Sequence, residues 1–257
     1  TDEARHVPLE EIGGALEEQI RQKVVPALLA ALKSQTNNDI VTGCLIALAK
    51  IGDAPIESTD SALAQEFMRF LADKNQEISE TAAVALGILA NPSSIPTLEA
   101  LLLDQIGGRI LVDQPEVGFR TRAFAAYGLG LIGAKASNEG DRQHVVEILR
   151  RALESADSKT RDLKVSCIIA MGLVPLDTLE SSAQPTAKDG RVAPETSRTA
   201  QLDYLLSFLQ DSSQNYLVRA HCPGAMARLL VGLPAAQFQL QRERIAGDLI
   251  ARLQKKS

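Results

Sequence analysis

The chain has 257 residues, 45% of them apolar and only 4% aromatic, with no Trp. Asp and Glu number 32 against 27 for Lys and Arg, a formal charge of −5, and a surface of that sign repels a phosphate backbone unless one face is locally basic. No stretch approaches the roughly 18 consecutive apolar residues that cross a bilayer, and no basic-then-apolar leader precedes the first periodic segment. Cytoplasmic residence is therefore the expectation, and a start at Thr1 suits a segment of a longer protein.

Residues 1–15 are set apart as an N-terminal segment for which an extended path is open, and residues 16–257 form one domain. The domain opens on Val25, Leu28 and Leu32, spaced to share one face of a helix. Pro26 falls in the first turn of that helix, where a missing N–H costs nothing. Five similar units follow. Each has a first helix ending in a small–apolar–small anchor and a second helix with the spacing of Val25, Leu28 and Leu32.

The anchors are Ala47-Leu48-Ala49, Ala85-Leu86-Gly87, Gly128-Leu129-Gly130, Ala170-Met171-Gly172 and Ala225-Met226-Ala227, at intervals of 38, 43, 42 and 55 residues. The second helices carry Ala64, Phe67 and Leu71; Ile95, Leu98 and Leu102, behind Ser93 and Ser94 as caps; Val145, Ile148 and Ala152; Leu202, Leu205 and Leu209; and Ala246, Leu249 and Leu253. A period near forty marks a helical solenoid, in which each unit buries its apolar face against its neighbours.

Alignment of the units shows which positions belong to the core. Nine residues before the third anchor residue stand Ile40, Ile78, Thr121, Leu163 and Val218; two after it stand Ile51, Leu89, Ile132, Val174 and Leu229. Five before it stand Cys44, Ala82, Ala125, Cys167 and Cys222, so all three cysteines read as small core residues. A Gly inside a helix costs about 1 kcal/mol relative to Ala, and its recurrence at the anchors calls for close approach of a neighbouring helix.

Two segments interrupt the period. Residues 104–118 contain Gly107-Gly108 ahead of Arg109-Ile110-Leu111-Val112, a pattern for a turn into a short extended piece. Residues 175–197 are rich in Ser, Thr, Pro and charge, with a turn at Lys188-Asp189-Gly190-Arg191; disorder and a partner-contacting lid both remain open, outside the core. Pro223-Gly224 inside the fifth first helix predicts a break there.

The stretch from Ile78 to Leu102 resembles a bacterial HEAT-like repeat of the type also seen in phycobilisome lyases. Phe119-Arg120-Thr121-Arg122-Ala123 and Val218-Arg219-Ala220 match the entry to the first helix of such units. The resemblance covers about residues 20–254 and implies an all-α, right-handed α-α superhelix of about five helix pairs plus an N-terminal helix. The family's Gly-Asp pair survives only as Gly52-Asp53, and its basic residue survives as Arg122, Lys164 and Arg219 but is Val41 and Ser79 in the first two units. A continuous Arg–Asp ladder is thereby ruled out, and pairing of the three basic residues between units is expected.

The resemblance covers scaffolds, adaptors and a few enzymes; with no catalytic motif in the chain, the expectation is a protein-interaction scaffold or adaptor without catalysis, meeting a protein or peptide on the concave face that the resemblance assigns to second helices. On that face the candidate partner-binding residues are Arg69, His144, Glu147, Arg150, Arg151, Tyr204 and Phe208. The alternative is an enzyme or enzyme accessory on the same fold, bilin-lyase-like or DNA-glycosylase-like. His6, His144 and His221 precede Val7, Val145 and Cys222, so none begins the His-Glu pair of a metal-dependent HEAT hydroxylase. Gly128-Leu129-Gly130 belongs to helix packing, and no cofactor or metal is called for.

Overall fold

A computed structural model describes residue 14 and residues 16–53, 61–155, 160–178 and 193–254. Among these, every regular element is a helix, and no helix is long and apolar enough to cross a membrane. Of the expected N-terminal segment, residues 1–13 and 15 lie outside the described set. A π-helical turn at Ile20–Val24 leads into α1 (Val25–Ser34), with Pro26 in its first turn as expected. Then come α2 (Asn38–Ile51), α3 (Ala62–Arg69) with a 3₁₀ turn at Phe70–Ala72, α4 (Gln76–Leu89), α5 (Ile95–Leu102) and α6 (Ile106–Val112). The chain continues through α7 (Phe119–Lys135), α8 (Glu139–Glu154), α9 (Arg161–Met171), α10 (Arg198–Gln210), α11 (Tyr216–Arg219), α12 (Cys222–Leu230) and α13 (Ala235–Gln254).

The anchors fall on α2, α4, α7, α9 and α12. Each of these first helices starts from the same repeat position, twelve residues before the third anchor residue, where Asn37, Asn75, Gly118, Thr160 and Asn215 form the N-caps, α11 standing as the fifth start. All five belong to the residue types that favour an N-cap. Asn37 accepts from the N–H groups of Asp39 and Ile40, Asn75 from those of Glu77 and Ile78, and Asn215 from that of Leu217.

Packing follows the repeat. First helices pack in sequence, α2 on α4, α4 on α7, α7 on α9 and α9 on α12. Each second helix lies against the first helix of the next unit: α1 on α2, α3 on α4, α5 on α7, α8 on α9 and α10 on α12. The buried apolar side chains, Leu45, Leu48, Phe67, Leu86, Leu98, Leu129, Ile148, Leu205 and Leu229 among them, form one continuous cluster.

The anchor glycines set how closely the first helices meet. A Cβ on Gly87 would lie 2.4 Å from the Cα of Gly128; one on Gly130, 2.9 Å from the Cα of Ala170; one on Gly172, 2.6 Å from the Cα of Ala225. In each case the third residue of one anchor meets the first residue of the next. The small residues at both ends of the anchor are thus two halves of one contact. The three cysteines are free and buried, as their repeat position required.

A second recurring device closes the ends of the second helices. Arg122 Nε donates to the carbonyl of Leu102 at 2.8 Å, and an Arg219 guanidinium N–H donates to that of Leu209 at 3.3 Å. Ser79, which breaks the basic column, makes the same connection with its hydroxyl, donating to the carbonyl of Leu71 at 3.0 Å. The partner is a carbonyl left free at a helix C-terminus, so the link between units survives the loss of the Arg–Asp ladder.

Several expectations are corrected. The piece expected to be extended at Arg109–Val112 is part of α6; Gly108 permits this, because a Cβ there would lie 2.3 Å from the carbonyl oxygen of Ala100 on α5. Ile40 is exposed, one turn from a helix start with no unit before it to cover it. Ser94 stands at the N-cap position of α5, but its hydroxyl makes no capping bond; the side chain that caps is Asn91, ahead of a 3₁₀ turn at Pro92–Ser94 that leads into the helix. On α13 the buried positions are Gln241 and Ile245, and Leu253 is exposed, since the last second helix has no following first helix to lie against. The break near Pro223 does occur: the helix stops at Arg219 and restarts at Cys222, with Pro223 in the new first turn.

Asp104 organises the first insertion. Its carboxylate accepts from Arg109 Nε at 3.0 Å, Arg109 Nη2 at 2.7 Å and the Val117 N–H at 2.7 Å, closing the loop around α6. The Arg109 hydrogen bond, above all, holds its pKa below the ordinary value of 3.8. A lowered value in the folded state adds stability at pH values above the unfolded pKa, and that stability is lost as pH falls through the folded one. Asp104→Asn is therefore expected to lower the urea midpoint at neutral pH, with the gap to the unsubstituted protein closing as pH drops below about 4. A gap that stays constant into acid would show that the carboxylate's charge is not what matters.

Candidate interaction surfaces

The residues singled out from sequence lie on the second-helix side, in separate groups. Arg69, on α3, pairs with Glu66 of the same helix at 3.2 Å. On α8, His144 stands between Glu99 of α5 (Nε2 to carboxylate, 3.8 Å) and Glu147 (Nδ1, 3.7 Å), and Arg151 reaches Glu99 at 2.8 Å. One turn along, Arg150 makes a two-pronged contact with Glu195 at 2.8 and 2.9 Å and a third bond to Glu154 at 3.0 Å. Tyr204, on α10, donates to the other oxygen of Glu154 at 3.2 Å. Phe208 packs, half-buried, against the core. The structure joins Arg150 to Tyr204 through Glu154 and places His144 beside the Glu99 carboxylate that holds Arg151, while Arg69 stands apart from both groups.

The electrostatics of these groups suit helix-to-helix attachment. The Glu195 bond, chiefly, raises the Arg150 guanidinium above its ordinary range, and burial raises the Tyr204 phenol, with the Glu154 carboxylate adding to it. Arg244 of α13 pairs with Asp203 of α10, and Gln210 donates to Asp248 at 2.9 Å, carrying the same stitching to the last helix. Charged side chains on this face are largely satisfied by one another.

The Arg150–Glu195 pair also changes the status of the second insertion. Residues 179–192, with the expected turn at Lys188–Arg191, lie outside the described residues. The two ends of the insertion are in the core: Leu176 is fully buried, Ala193 is 2% exposed, and Pro194 and Thr196 are buried in a 3₁₀ turn packed on α8 and α10. The fully buried Gln201 ties them down, donating to the Val174 carbonyl at 2.8 Å and accepting from the Leu176 N–H at 3.3 Å. Placing all of residues 175–197 outside the core is therefore corrected.

A groove opens on the opposite, first-helix side, and none of its residues was a candidate. It has a volume of about 640 Å³ and crosses α2, α4 and α7, with Thr42, Ile46, Thr81, Val84 and Phe124 in its walls. A neighbouring hollow of about 530 Å³ shares Glu77, Thr81 and Phe124 and extends it to Arg120. There Arg120 holds Glu80 with two bonds, at 2.8 and 3.0 Å, the carboxylate itself being buried. A signal for this surface was present in the repeat: three residues before the last anchor residue stand Ile46, Val84, Tyr127 and Ile169, apolar in four of five units and all left half-exposed. Phe124 and Tyr127 meet edge to face with ring centroids 6.2 Å apart.

Two of the buried cysteines are poor nucleophiles. Burial pushes the Cys167 and Cys222 thiols up to about 12, so both are protonated at neutral pH. No group of three His, Cys, Asp or Glu side chains converges to hold a metal among the described residues; His6 lies outside them. Comparison of the chain with protein-family models gives no match, and comparison with curated proteins gives none either.

With side chains only 18% and 15% exposed, Arg150 and Glu195 form a largely desolvated charged pair. Glu195→Ala is expected to cost about 1.5–3 kcal/mol, the worth of hydrogen bonds to a charged group, read as a lowered midpoint in chemical unfolding. An unchanged midpoint would return residues 193–197 to the status of a loop outside the core.

Proposed function

We propose that the chain is a HEAT-like α-solenoid, a right-handed superhelix of helix pairs, and that it serves as a protein-interaction scaffold or adaptor without catalysis. The fold part of this reading is supported by the sequential packing of α2, α4, α7, α9 and α12 and by the glycine contacts that recur between them. The functional part is carried by one observation: an open groove crossing three first helices, walled by Ile46, Val84 and Phe124, whose apolar column is left half-exposed. Water-exposed apolar surface that repeats in register along a helical array suits an extended protein contact.

The two faces divide the work. On the second-helix side, Arg150, Arg151 and Tyr204 are taken up by Glu195, Glu99 and Glu154, Phe208 packs against the core, and Arg69, paired only within its own helix, is the most exposed of the group. The first-helix side offers the wider apolar contact. The partner class is a protein or peptide, and the acidic balance of the chain disfavours nucleic acid.

Affinity capture on the full chain from its native source tests the reading. A protein retained in stoichiometric amount, and unaffected by nuclease treatment, is the expected result. Retention of nucleic acid or of a small chromophore in its place would overturn it.

A further inference from the structure

We infer that the first-helix groove takes a segment of a partner protein that combines apolar side chains with Lys or Arg along one edge; this rests on the interaction-scaffold reading. Ile46 and Val84 in the groove wall continue beyond it in Tyr127 and Ile169, one apolar side chain from each of four first helices that pack in sequence. With helix axes about 8–10 Å apart, the column spans about 24–30 Å, the length of roughly eight residues of extended chain. The groove floor is open at its start, since a Cβ on Gly43 would meet nothing within 4 Å.

The charged half comes from the rim. Ten residues before the last anchor residue stand Asp39, Glu77 and Asp162, each in the first turn of its helix and each exposed. Acids there favour the helix dipole by about 0.3–1 kcal/mol, which accounts for their position on each helix. It leaves their combined effect on a ligand intact, because none of the three forms a salt bridge among the described residues. The one basic member of the column, Arg120, is committed to the buried Glu80 carboxylate by two hydrogen bonds. Lys50 also lines the groove; with Arg120 tied to Glu80, the carboxylates of Asp39, Glu77 and Asp162 outnumber it and leave the rim net negative. Such a rim repels phosphate and attracts a cationic edge, which selects a basic, apolar peptide over nucleic acid.

The probe is a library of random peptides displayed on phage, selected on the immobilised full chain at low and raised salt. Retained peptides are expected to be rich in Lys or Arg and apolar residues, and to bind more weakly as salt rises. The triple variant Asp39→Lys, Glu77→Lys, Asp162→Lys alters only exposed positions and is expected to weaken them about tenfold or more. Val84→Glu with Tyr127→Glu, checked for retained helicity, is expected to abolish binding. Retained peptides that are acidic or uncharged, or that ignore both groove variants, would overturn the inference. If binding is lost only with Arg69→Glu and Glu147→Lys on the second-helix side, the groove assignment falls while the scaffold reading stands. If the chain retains no peptide at all, the inference falls, and the scaffold reading is decided separately by the capture experiment.

Discussion

Where Gly87 meets Gly128, Gly130 meets Ala170 and Gly172 meets Ala225, nothing larger than a methyl group separates one first helix from the next. Backbone lies against backbone or an alanine methyl, and a Cβ at the glycine would enter a space already filled by Cα, Cβ and carbonyl atoms. The helix gives up about 1 kcal/mol of propensity at Gly87 and at Gly130, while Gly172 stands at a C-cap. In return it gains dispersion contacts along the whole crossing, because closer axes bring the flanking Leu and Ile side chains into register on both sides. The contact also fixes rotation: only one orientation of each helix presents its glycine to the small residue of its neighbour. Once the rotation is fixed, the Cys44, Cys167 and Cys222 column faces the core, and the Ile46, Val84, Tyr127 and Ile169 column is turned away from it.

The second helices are held by a different kind of interaction. Their apolar stripes bury against the next first helix, and their carbonyl ends are taken up by Ser79, Arg122 and Arg219 of that helix. Charges then join second helices laterally, through Glu99 to Arg151 and through Glu154 between Arg150 and Tyr204. Polar side chains on this face thus carry positional information that the apolar core, being less directional, does not supply. A surface already satisfied in this way has less to offer a ligand than its charge count suggests.

Much of the fold was legible because the repeat states it five times. The anchors, the core cysteines, the first-turn prolines and the break near Pro223 all follow from period and residue size. The N-cap column Asn37, Asn75, Gly118, Thr160 and Asn215 was equally visible and marks the helix starts more sharply than the apolar pattern. What could not be read were features of pairing at long range. Glu195 lies in a stretch whose composition resembles a loop, yet a guanidinium 45 positions away in sequence holds it. Residues Ile106–Val112 carry two glycines and still form a helix, because Ala100 on the preceding helix needs the space. The groove went unremarked for a related reason: half-exposed apolar positions and buried ones look alike until the packing tells them apart.

The account depends on the anchor glycines acting through contact with the next helix, since the orientation of both faces follows from that contact. Unfolding free energies of Gly87→Ala and Gly43→Ala, measured side by side, test this most directly. Both glycines lie inside helices, but a Cβ at Gly87 would meet the backbone of Gly128 at 2.4 Å whereas one at Gly43 meets nothing within 4 Å. Gly87→Ala is expected to destabilise by about 1–3 kcal/mol through overpacking, and Gly43→Ala to stabilise by up to about 1 kcal/mol through helix propensity. If both substitutions stabilise the protein alike, the helices are not held apart or together by that contact, and the account is wrong.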